Sequence, residues 1–135
     1  MCEVTPEGRF LQTKLVNTTS PTIFIPKKDN TGYVCFGDSV FEMDDKFNVT
    51  NVSNEFQFNE LSGVDAVRVG DDYNFIYYDN DGNLQLVKLN SALEIVKQKE
   101  LASGAYGERF YLSSIGVDTD GNILIGNNFT DEFTY

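Results

Sequence analysis

The 135-residue sequence contains no histidine and no tryptophan, and it has only two cysteines and three prolines. Without histidine, a Ser-His-Asp triad, a Cys-His pair and a histidine-based zinc site are excluded. Cys2 and Cys35 are too few for a disulfide framework and lack the spacing of a metal motif. The scarcity of proline and the 41% content of hydrophobic residues argue against a disordered chain. A chain of this length is predicted to form one domain with a sizeable core.

Positive charge is also scarce. The chain has 10 Lys and Arg residues against 21 Asp and Glu residues, so its formal net charge is −11. Binding to phosphate backbones or anionic membranes depends on clustered Lys and Arg, so neither nucleic acid nor an anionic membrane is an expected partner. No export signal or membrane-spanning segment is recognised, and no membrane insertion is expected. The sequence indicates no compartment.

The chain is rich instead in short β-type runs, most regularly between residues 64 and 101. These runs are filled with β-branched and aromatic residues, and Gly, Asp and Asn fill the gaps, a pattern typical of strands joined by turns. Four strands are predicted here: Val64–Val69, Asn74–Tyr78, Leu84–Leu89 and Leu93–Lys99. Further strands are predicted at Cys2–Val4, Arg9–Val16, Thr22–Ile25, Tyr33–Phe36, Ser39–Met43, Phe47–Val52, Phe110–Val117, Ile123–Ile125 and Phe129–Tyr135.

The strand pattern repeats along the chain. A shift of 46 residues places Val40–Asp44 on Leu86–Asn90, and a shift of 48 places Val69 on Val117 and Phe75–Ile76 on Ile123–Leu124. A shift of 41 places Phe36–Asp38 on Tyr77–Asp79, and a shift of 85 places Val4 on Leu89 and Phe10–Leu11 on Ile95–Val96. These offsets cluster near multiples of about 45 residues, a period typical of propeller repeats.

Two segments carry the pattern Asp-x-Asp-Gly-Asn followed by hydrophobic residues, Asp79–Leu89 and Asp118–Gly126. They resemble the hairpins of bacterial β-propeller repeats, in the broad style of quinoprotein-like repeats. The resemblance implies four-stranded antiparallel blades and covers most of the chain. The tryptophan common in such repeats is missing, and there is no Trp-Asp dipeptide, so the subfamily is not assigned.

The expected fold is therefore all-β, a single domain 1–135 of propeller-type repeats with about three blades. Two complete blades are predicted at 20–58 and 61–101, and a third at 110–135 completed by 1–16. Propellers have four to eight blades, so a three-blade chain is not expected to close alone. Either two copies join head to tail in a six-bladed ring, or the chain is a fragment of a longer propeller or docks onto the blades of another protein. An open sheet stack or a sandwich is a third alternative.

The Asp-x-Asp-Gly-Asn turns at Asp79 and Asp118 place carboxylates close together, as calcium sites do. An EF-hand loop requires Glu at its twelfth position, where these segments have Asn90 and Phe129. Asp-Gly and Asn favour tight hairpin turns because they tolerate a positive φ. Both segments are predicted to be hairpin turns, and calcium binding by them is left open. No catalytic, cofactor-binding or metal-binding residue is assigned.

The sequence also gives predictions for the adjacent acidic pairs and for three tyrosines. The adjacent pairs Asp44-Asp45, Asp71-Asp72 and Asp131-Glu132 are predicted to be solvated turn residues, because neighbouring strand residues point to opposite faces and cannot flank one substrate. Tyr77, Tyr78 and Tyr106 offer rings for stacking on a sugar or a peptide.

The same alternation predicts that Tyr77 and Tyr78 divide between the core and the surface. Cys35 lies in an apolar run and is predicted to be a small buried hydrophobic residue.

The first functional hypothesis is a non-enzymatic structural or protein–protein interaction module, including a place in a surface or virion assembly. It expects a protein partner or self-association as a homo-oligomer, and no cofactor. One alternative is a carbohydrate-binding, lectin-like oligomeric propeller with sites repeated between blades, so a glycan is a second expected ligand class. Another is a fragment of a larger propeller enzyme whose catalytic residues lie outside the chain. Fold-level analogy alone does not decide among them.

Overall fold

The computed structural model describes residues 2–13, 23–37, 39–57, 65–102 and 114–126. These residues form strands and turns, with no helix among them, so the all-β prediction is confirmed. The part of the chain described includes no helix that could cross a membrane. The strands are β1 Cys2–Val4, β2 Phe10–Thr13, β3 Ile23–Pro26, β4 Gly32–Phe36, β5 Ser39–Asp44, β6 Val49–Gln57, β7 Asp65–Val69, β8 Asp72–Tyr78, β9 Leu84–Leu89, β10 Ile95–Ala102, β11 Ser114–Val117 and β12 Ile123–Gly126.

Consecutive strands pair antiparallel in four sheets. Sheet I has the order β3-β4-β5-β6, and sheet II is built from β7 to β10 in the same meander. The N-terminal hairpin contains β1 and β2, and the C-terminal hairpin contains β11 and β12. The prediction of four-stranded antiparallel sheets is therefore confirmed. The strands predicted at Phe129–Tyr135 lie outside the described residues.

Sheets I and II pack face to face around an aromatic core. Phe36 of β4 and Phe75 of β8 are both fully buried, and their ring centroids are 5.2 Å apart. In each strand the residues that alternate with these point to the other face, as strand geometry requires. The core between the sheets contains Val34, Phe36, Val40, Ala66, Tyr73, Phe75, Val87, Leu89 and Leu93, with Ile23, Ile25 and Tyr77 packed against it.

The outer faces of both sheets are apolar as well. On sheet II, Ile76, Tyr78, Leu84 and Leu86 form a cluster against which Ile115 and Ile125 of the C-terminal hairpin pack. On sheet I, the face opposite sheet II carries Cys35, Phe41, Met43 and Phe47, with Phe24 and Tyr33 packed against them. The middle strands are therefore buried on both faces and read as nearly continuous apolar runs.

The first strands of successive sheets lie beside one another. Strand β7 contacts β3 on one side and β11 on the other. The contact with β11 includes a hydrogen bond of 2.8 Å from the Ile115 N–H to Asp65 Oδ2. On the far side of sheet I, the Gln12 side chain of the N-terminal hairpin donates to the Asp45 carbonyl at 3.0 Å. The N-terminal hairpin thus contacts sheet I, and the C-terminal hairpin packs on the outer face of sheet II.

Two residues predicted to begin strands lie in turns instead. Phe47 and Leu93 have φ values of 63° and 62°, in the left-handed region that side chains rarely adopt. Strands β6 and β10 begin only after them, at Val49 and Ile95. The apolar side chains of Phe47 and Leu93 fit the alternation of a strand, but they are buried in the core from a turn.

Three hairpins share one register, although they lie far apart in sequence. A five-residue turn joins the two strands in each of the pairs β1–β2, β5–β6 and β9–β10. In all three, the strand pairing is irregular at the same distance from the turn. In each, the first strand pair after the turn is followed by one residue left out of the pairing, which is Leu11, Thr50 or Val96. The pairs β8–β9 and β11–β12 also follow five-residue turns but have no such β-bulge. The N-terminal hairpin therefore corresponds to the third and fourth strands of sheets I and II.

Candidate functional site

The Asp79 and Asp118 turns are closed by their own carboxylates. Asp118 Oδ1 accepts hydrogen bonds from the backbone N–H groups of Asp120 and Asn122, both at 2.9 Å. Asp118 Oδ2 accepts from the Asn122 side-chain amide at 2.8 Å. The Asp79 turn repeats this pattern with Asn83. These turns are hairpin turns of the Asx type, as the sequence predicts.

The hydrogen bonds stabilise the ionised carboxylates. The side-chain amide and the backbone N–H of Asn122 hold the pKa of Asp118 below its usual value. Partial burial acts to raise the pKa of Asp79, but hydrogen bonds from Asn83, Gln85 and Asp81 outweigh it and lower the pKa. Within the described residues, no three His, Cys, Asp or Glu side chains lie close enough together to hold a metal ion. The observed chemistry of these carboxylates is turn closure.

Two further turns have the same geometry without the Asp-Gly-Asn signature. In the β5–β6 turn, Asp44 Oδ1 accepts from two backbone N–H groups, and the Asn48 amide donates to Oδ2 at 2.9 Å. In the β9–β10 turn, the donor and acceptor are exchanged, because the Asn90 amide donates to Glu94 Oε2 at 2.9 Å. The signal that finds these turns is a polar residue four positions before an Asn or Glu.

The adjacent acidic residues are used separately. Asp44 closes the β5–β6 turn, whereas Asp71 pairs with Lys28 at 3.1 Å and Asp72 with Lys88 at 3.2 Å. No two of these carboxylates face each other across a cleft in the described structure. The Asp131-Glu132 pair lies outside the described residues.

The neighbouring tyrosines point to opposite faces of sheet II, as predicted, and the hydroxyl of Tyr77 takes part in an exposed hydrogen bond with Gln98. Tyr77 is partly buried and stacks on Phe75 with ring centroids 5.7 Å apart. Tyr78 is buried in the cluster on the other face. Both faces of sheet II are covered, so the two rings enter two different cores. Tyr106 lies outside the described residues.

The two cysteines differ sharply in environment. Cys35 is fully buried in sheet I, which confirms its predicted role as a small hydrophobic residue, and desolvation raises its pKa to about 12. Cys2 is exposed on β1, and neither cysteine forms a disulfide. Of the two thiols, only that of Cys2 is therefore accessible to solvent in the folded protein.

One cleft lies where sheets I and II meet at their turns. Its volume is about 450 Å³, and its lining residues come from the β3–β4, β7–β8 and β9–β10 connections and the start of β8: Lys27, Lys28, Asp29, Asp71, Tyr73 and Ser91. The Lys28–Asp71 ion pair spans the two sheets across this cleft. Lys27 is paired with Glu42 at 2.9 Å, and the hydrogen bond to Glu42 raises the pKa of Lys27. The cleft combines hydrogen-bonding groups with one aromatic ring.

The largest difference in exposure between corresponding strand residues is found on β1. Val4 corresponds to Met43 and Leu89 in the shared hairpin register. Met43 and Leu89 are 1% and 0% exposed, whereas Val4 is 53% exposed. In sheets I and II the matching strand has a neighbour on both edges, but among the described strands β1 pairs with β2 alone. Strand β12 similarly pairs with β11 alone in that part of the chain.

These features make the edges of β1 and β12, which have no partner among the strands that the structure describes, the main candidate site, with the polar cleft second. No family model matches the chain, and neither the curated proteins nor the solved structures searched contain a match.

Proposed function

We propose that this protein is a non-enzymatic structural module that works by protein–protein contact, and that its propeller-type repeats join copies of the chain into an assembly. The observation that carries the proposal is the difference in strand number between sheets I and II and the two terminal hairpins, which we call half-sheets. Sheets I and II each have four strands, but the terminal hairpins have two strands each in the described residues. Exposed strand edges favour pairing with another chain.

The stacking of the sheets supports the propeller interpretation. The first strands β3, β7 and β11 follow one another in space, and each sheet interface is filled by apolar side chains. Each complete sheet is a four-stranded meander, which is the form of a propeller blade. Two sheets and two halves amount to three blades, fewer than a closed propeller has.

The proposal assigns no catalytic chemistry to the chain. The sequence has no histidine, and the acidic pairs that the structure describes are engaged in turn closure or in separate ion pairs. The net charge of −11 keeps such an assembly soluble.

Light scattering over a wide concentration range tests this function. We expect a discrete species heavier than the 15.2 kDa chain. A particle that keeps the mass of one chain at every concentration would contradict self-association as the function.

The cleft between sheets I and II favours a second candidate, carbohydrate binding. Lys28, Asp71 and Ser91 offer donors and acceptors to sugar hydroxyls, and Tyr73 lies among them. Glycan-array binding that Asp71→Ala and Ser91→Ala abolish, while Glu100→Ala leaves it unchanged, would support this candidate. Equal binding by all variants would place the sugar elsewhere or remove the candidate.

A further inference from the structure

We propose that β12 of one copy pairs antiparallel with β1 of a second copy, so that the C-terminal and N-terminal hairpins together make one four-stranded sheet. This inference rests on the proposed function and names its partner. Two reciprocal contacts of this kind would close a ring of six sheets. A head-to-tail contact whose rotation closes makes such a ring.

The N-terminal hairpin matches the last two strands of a sheet, and no further strand lies beside it in the described part of the chain. Its turn, its register and its β-bulge match those of β5–β6 and β9–β10. These are the third and fourth strands of their sheets. Cys2, which is exposed on β1, corresponds to the buried Phe41 and Val87. Strand β1 therefore has the position of a third strand, and none of the described strands takes the place of the second strand beside it.

The C-terminal hairpin matches the first two strands of a sheet, and no third strand lies beside it among the described residues. Strand β11 contacts β7 as β7 contacts β3, which makes β11 a first strand and β12 a second strand. In sheet II the first and second strands pair through Ala66 and Phe75, and both residues belong to the core shared with sheet I. In the C-terminal hairpin, Ile115 pairs with Ile125, and both pack on sheet II. Ile125 therefore corresponds to Phe75.

The pairing inside sheet II then gives the register. Tyr73 pairs with Leu89 and Phe75 with Val87 between the second and third strands. Transferred to the terminal hairpins, this places Ile123 opposite Val4 and Ile125 opposite Cys2 of the other copy. The exposed Val4 would then lie beside Ile123 on the face that packs against sheet II. Leu124, which is exposed on the opposite face of β12, would point away from Cys2.

A second copy is the occupant because one chain keeps its two halves at opposite ends. The N-terminal hairpin contacts sheet I through Gln12 and Asp45, and the C-terminal hairpin packs on the outer face of sheet II. Joining them within one chain would close a ring of three sheets, which is smaller than any propeller. Two chains supply six sheets, a common closed size.

Disulfide trapping tests the pairing. Ile125→Cys, oxidised under mild conditions, is expected to link to the native Cys2 of another copy and to give a covalent dimer of twice 15.2 kDa. Leu124→Cys is the matched control, because that side chain faces away from Cys2. The unmodified chain reports any direct Cys2–Cys2 link, and the buried Cys35 contributes little background.

A link between positions 2 and 125 of different chains, absent or weak for position 124, supports the inference. A link within one chain, or equal trapping at positions 124 and 125, overturns it. So does the absence of a link in Ile125→Cys when that variant keeps the circular dichroism spectrum of the unmodified chain.

A non-covalent test separates this inference from the proposed function. Val4→Asp places a charge in the predicted contact and should shift the particle to the mass of one chain. Val49→Asp is the control, because Val49 is 52% exposed on the outer strand of a complete sheet. If the protein associates and Val4→Asp leaves the mass unchanged, the pairing is wrong and the proposed function stands. If the unmodified protein never associates, the proposed function itself fails.

Discussion

Phe36 and Phe75 contact each other across the boundary between sheets I and II, with their ring planes inclined by 39° and both side chains fully buried. One ring comes from the second strand of sheet I and the other from the second strand of sheet II. The pair therefore links the two four-stranded sheets through their second strands. It is a suitable place to measure the interaction energy between the sheets.

Phe75→Ala should lower the free energy of unfolding by about 3–5 kcal/mol, because it removes a buried ring and leaves a cavity. Phe36→Ala should cost a similar amount. A double-mutant cycle in urea should show a coupling of about 0.5–1.5 kcal/mol for the ring pair. Val52→Ala, at a residue that is exposed on β6, should change stability little. Strictly additive effects of the two Phe substitutions would contradict a direct stabilising interaction between the rings.

The backbone conformation of Leu93 predicts that a Gly variant is more stable than an Ala variant, which is the reverse of the order in a regular strand. The side chain is buried, so Leu93→Ala should cost about 2–5 kcal/mol. Leu93→Gly loses the same contacts but relieves the left-handed backbone, which costs a residue with a side chain about 1–2 kcal/mol. We expect the Gly variant to be more stable than the Ala variant by about 1 kcal/mol in chemical denaturation.

The opposite order, with Ala more stable than Gly, would show that the backbone of this turn relaxes on substitution. Ala66→Gly provides the comparison, because β7 is a regular strand and Gly should be the less stable residue there.

The β5–β6 turn should remain stable when its two polar residues are replaced by those of the β9–β10 turn. Asp44→Asn alone places one amide donor opposite another, that of Asn48. We expect this to lower the free energy of unfolding by about 1 kcal/mol. Adding Asn48→Glu recreates the Asn90–Glu94 pair, in which the amide donates to a carboxylate, and should restore most of that loss. Thermal unfolding of the two single variants and the double variant measures the interaction. A double variant less stable than both single variants would contradict the equivalence of these turns.

The turn carboxylates predict a dependence of stability on acid. The folded-state pKa values of Asp79 and Asp118 are lowered from an ordinary value of 3.8, so their contribution is present in full above that value. It is lost as the pH falls below 3.8 through the lowered pKa values, because the protonated acids no longer accept the same hydrogen bonds. Urea unfolding at a series of pH values should show this decline.

Asn122→Ala gives the specific control. It removes the largest cause of the Asp118 shift, so an NMR titration should find the pKa of Asp118 closer to its ordinary value and that of Asp79 unchanged. An unchanged pKa of Asp118 in Asn122→Ala would show that the side-chain hydrogen bond does not form in solution.

Thiol labelling should separate the two cysteines. Cys2 is exposed and should react rapidly with a thiol reagent near pH 8, whereas the buried Cys35 should not react in the folded protein. One thiol should be counted under native conditions and two in denaturant. Rapid labelling of both thiols in the folded state would mean that sheet I opens readily around β4.

Part of this architecture could be predicted from sequence because corresponding hairpins keep the same spacing between their apolar residues and their turns. The shift of 85 residues that aligns Val4 with Leu89 also aligns the turns and the β-bulges of the two hairpins. The shift of 46 likewise joins the third strands of sheets I and II, β5 and β9. In both cases the apolar pattern and the turn residues agree.

The other matches were less accurate where alternation alone decided them. The shift of 41 joins Phe36 to Tyr77, yet Phe36 faces the following sheet and Tyr77 packs toward the preceding one. A strand exposes opposite faces at successive residues, so an error of one position reverses the side chain. The sequence predicts strands at Phe47 and Leu93 because an apolar residue in a left-handed turn has no local signature.

The candidate site depended even more on tertiary context. Val4 looks like any other strand valine in the sequence, and only its comparison with Met43 and Leu89 shows that its side chain is exposed where theirs are buried. The cleft at Lys28 and Asp71 joins residues of two different sheets, which no local pattern brings together.

The opposite placement of the two half-sheets has a consequence for preparation of the protein. If the rotation between copies misses closure after two, the same contact repeats without end and produces a polar filament. Such filaments would lengthen with concentration, and isolated terminal hairpins added as capping peptides would shorten them.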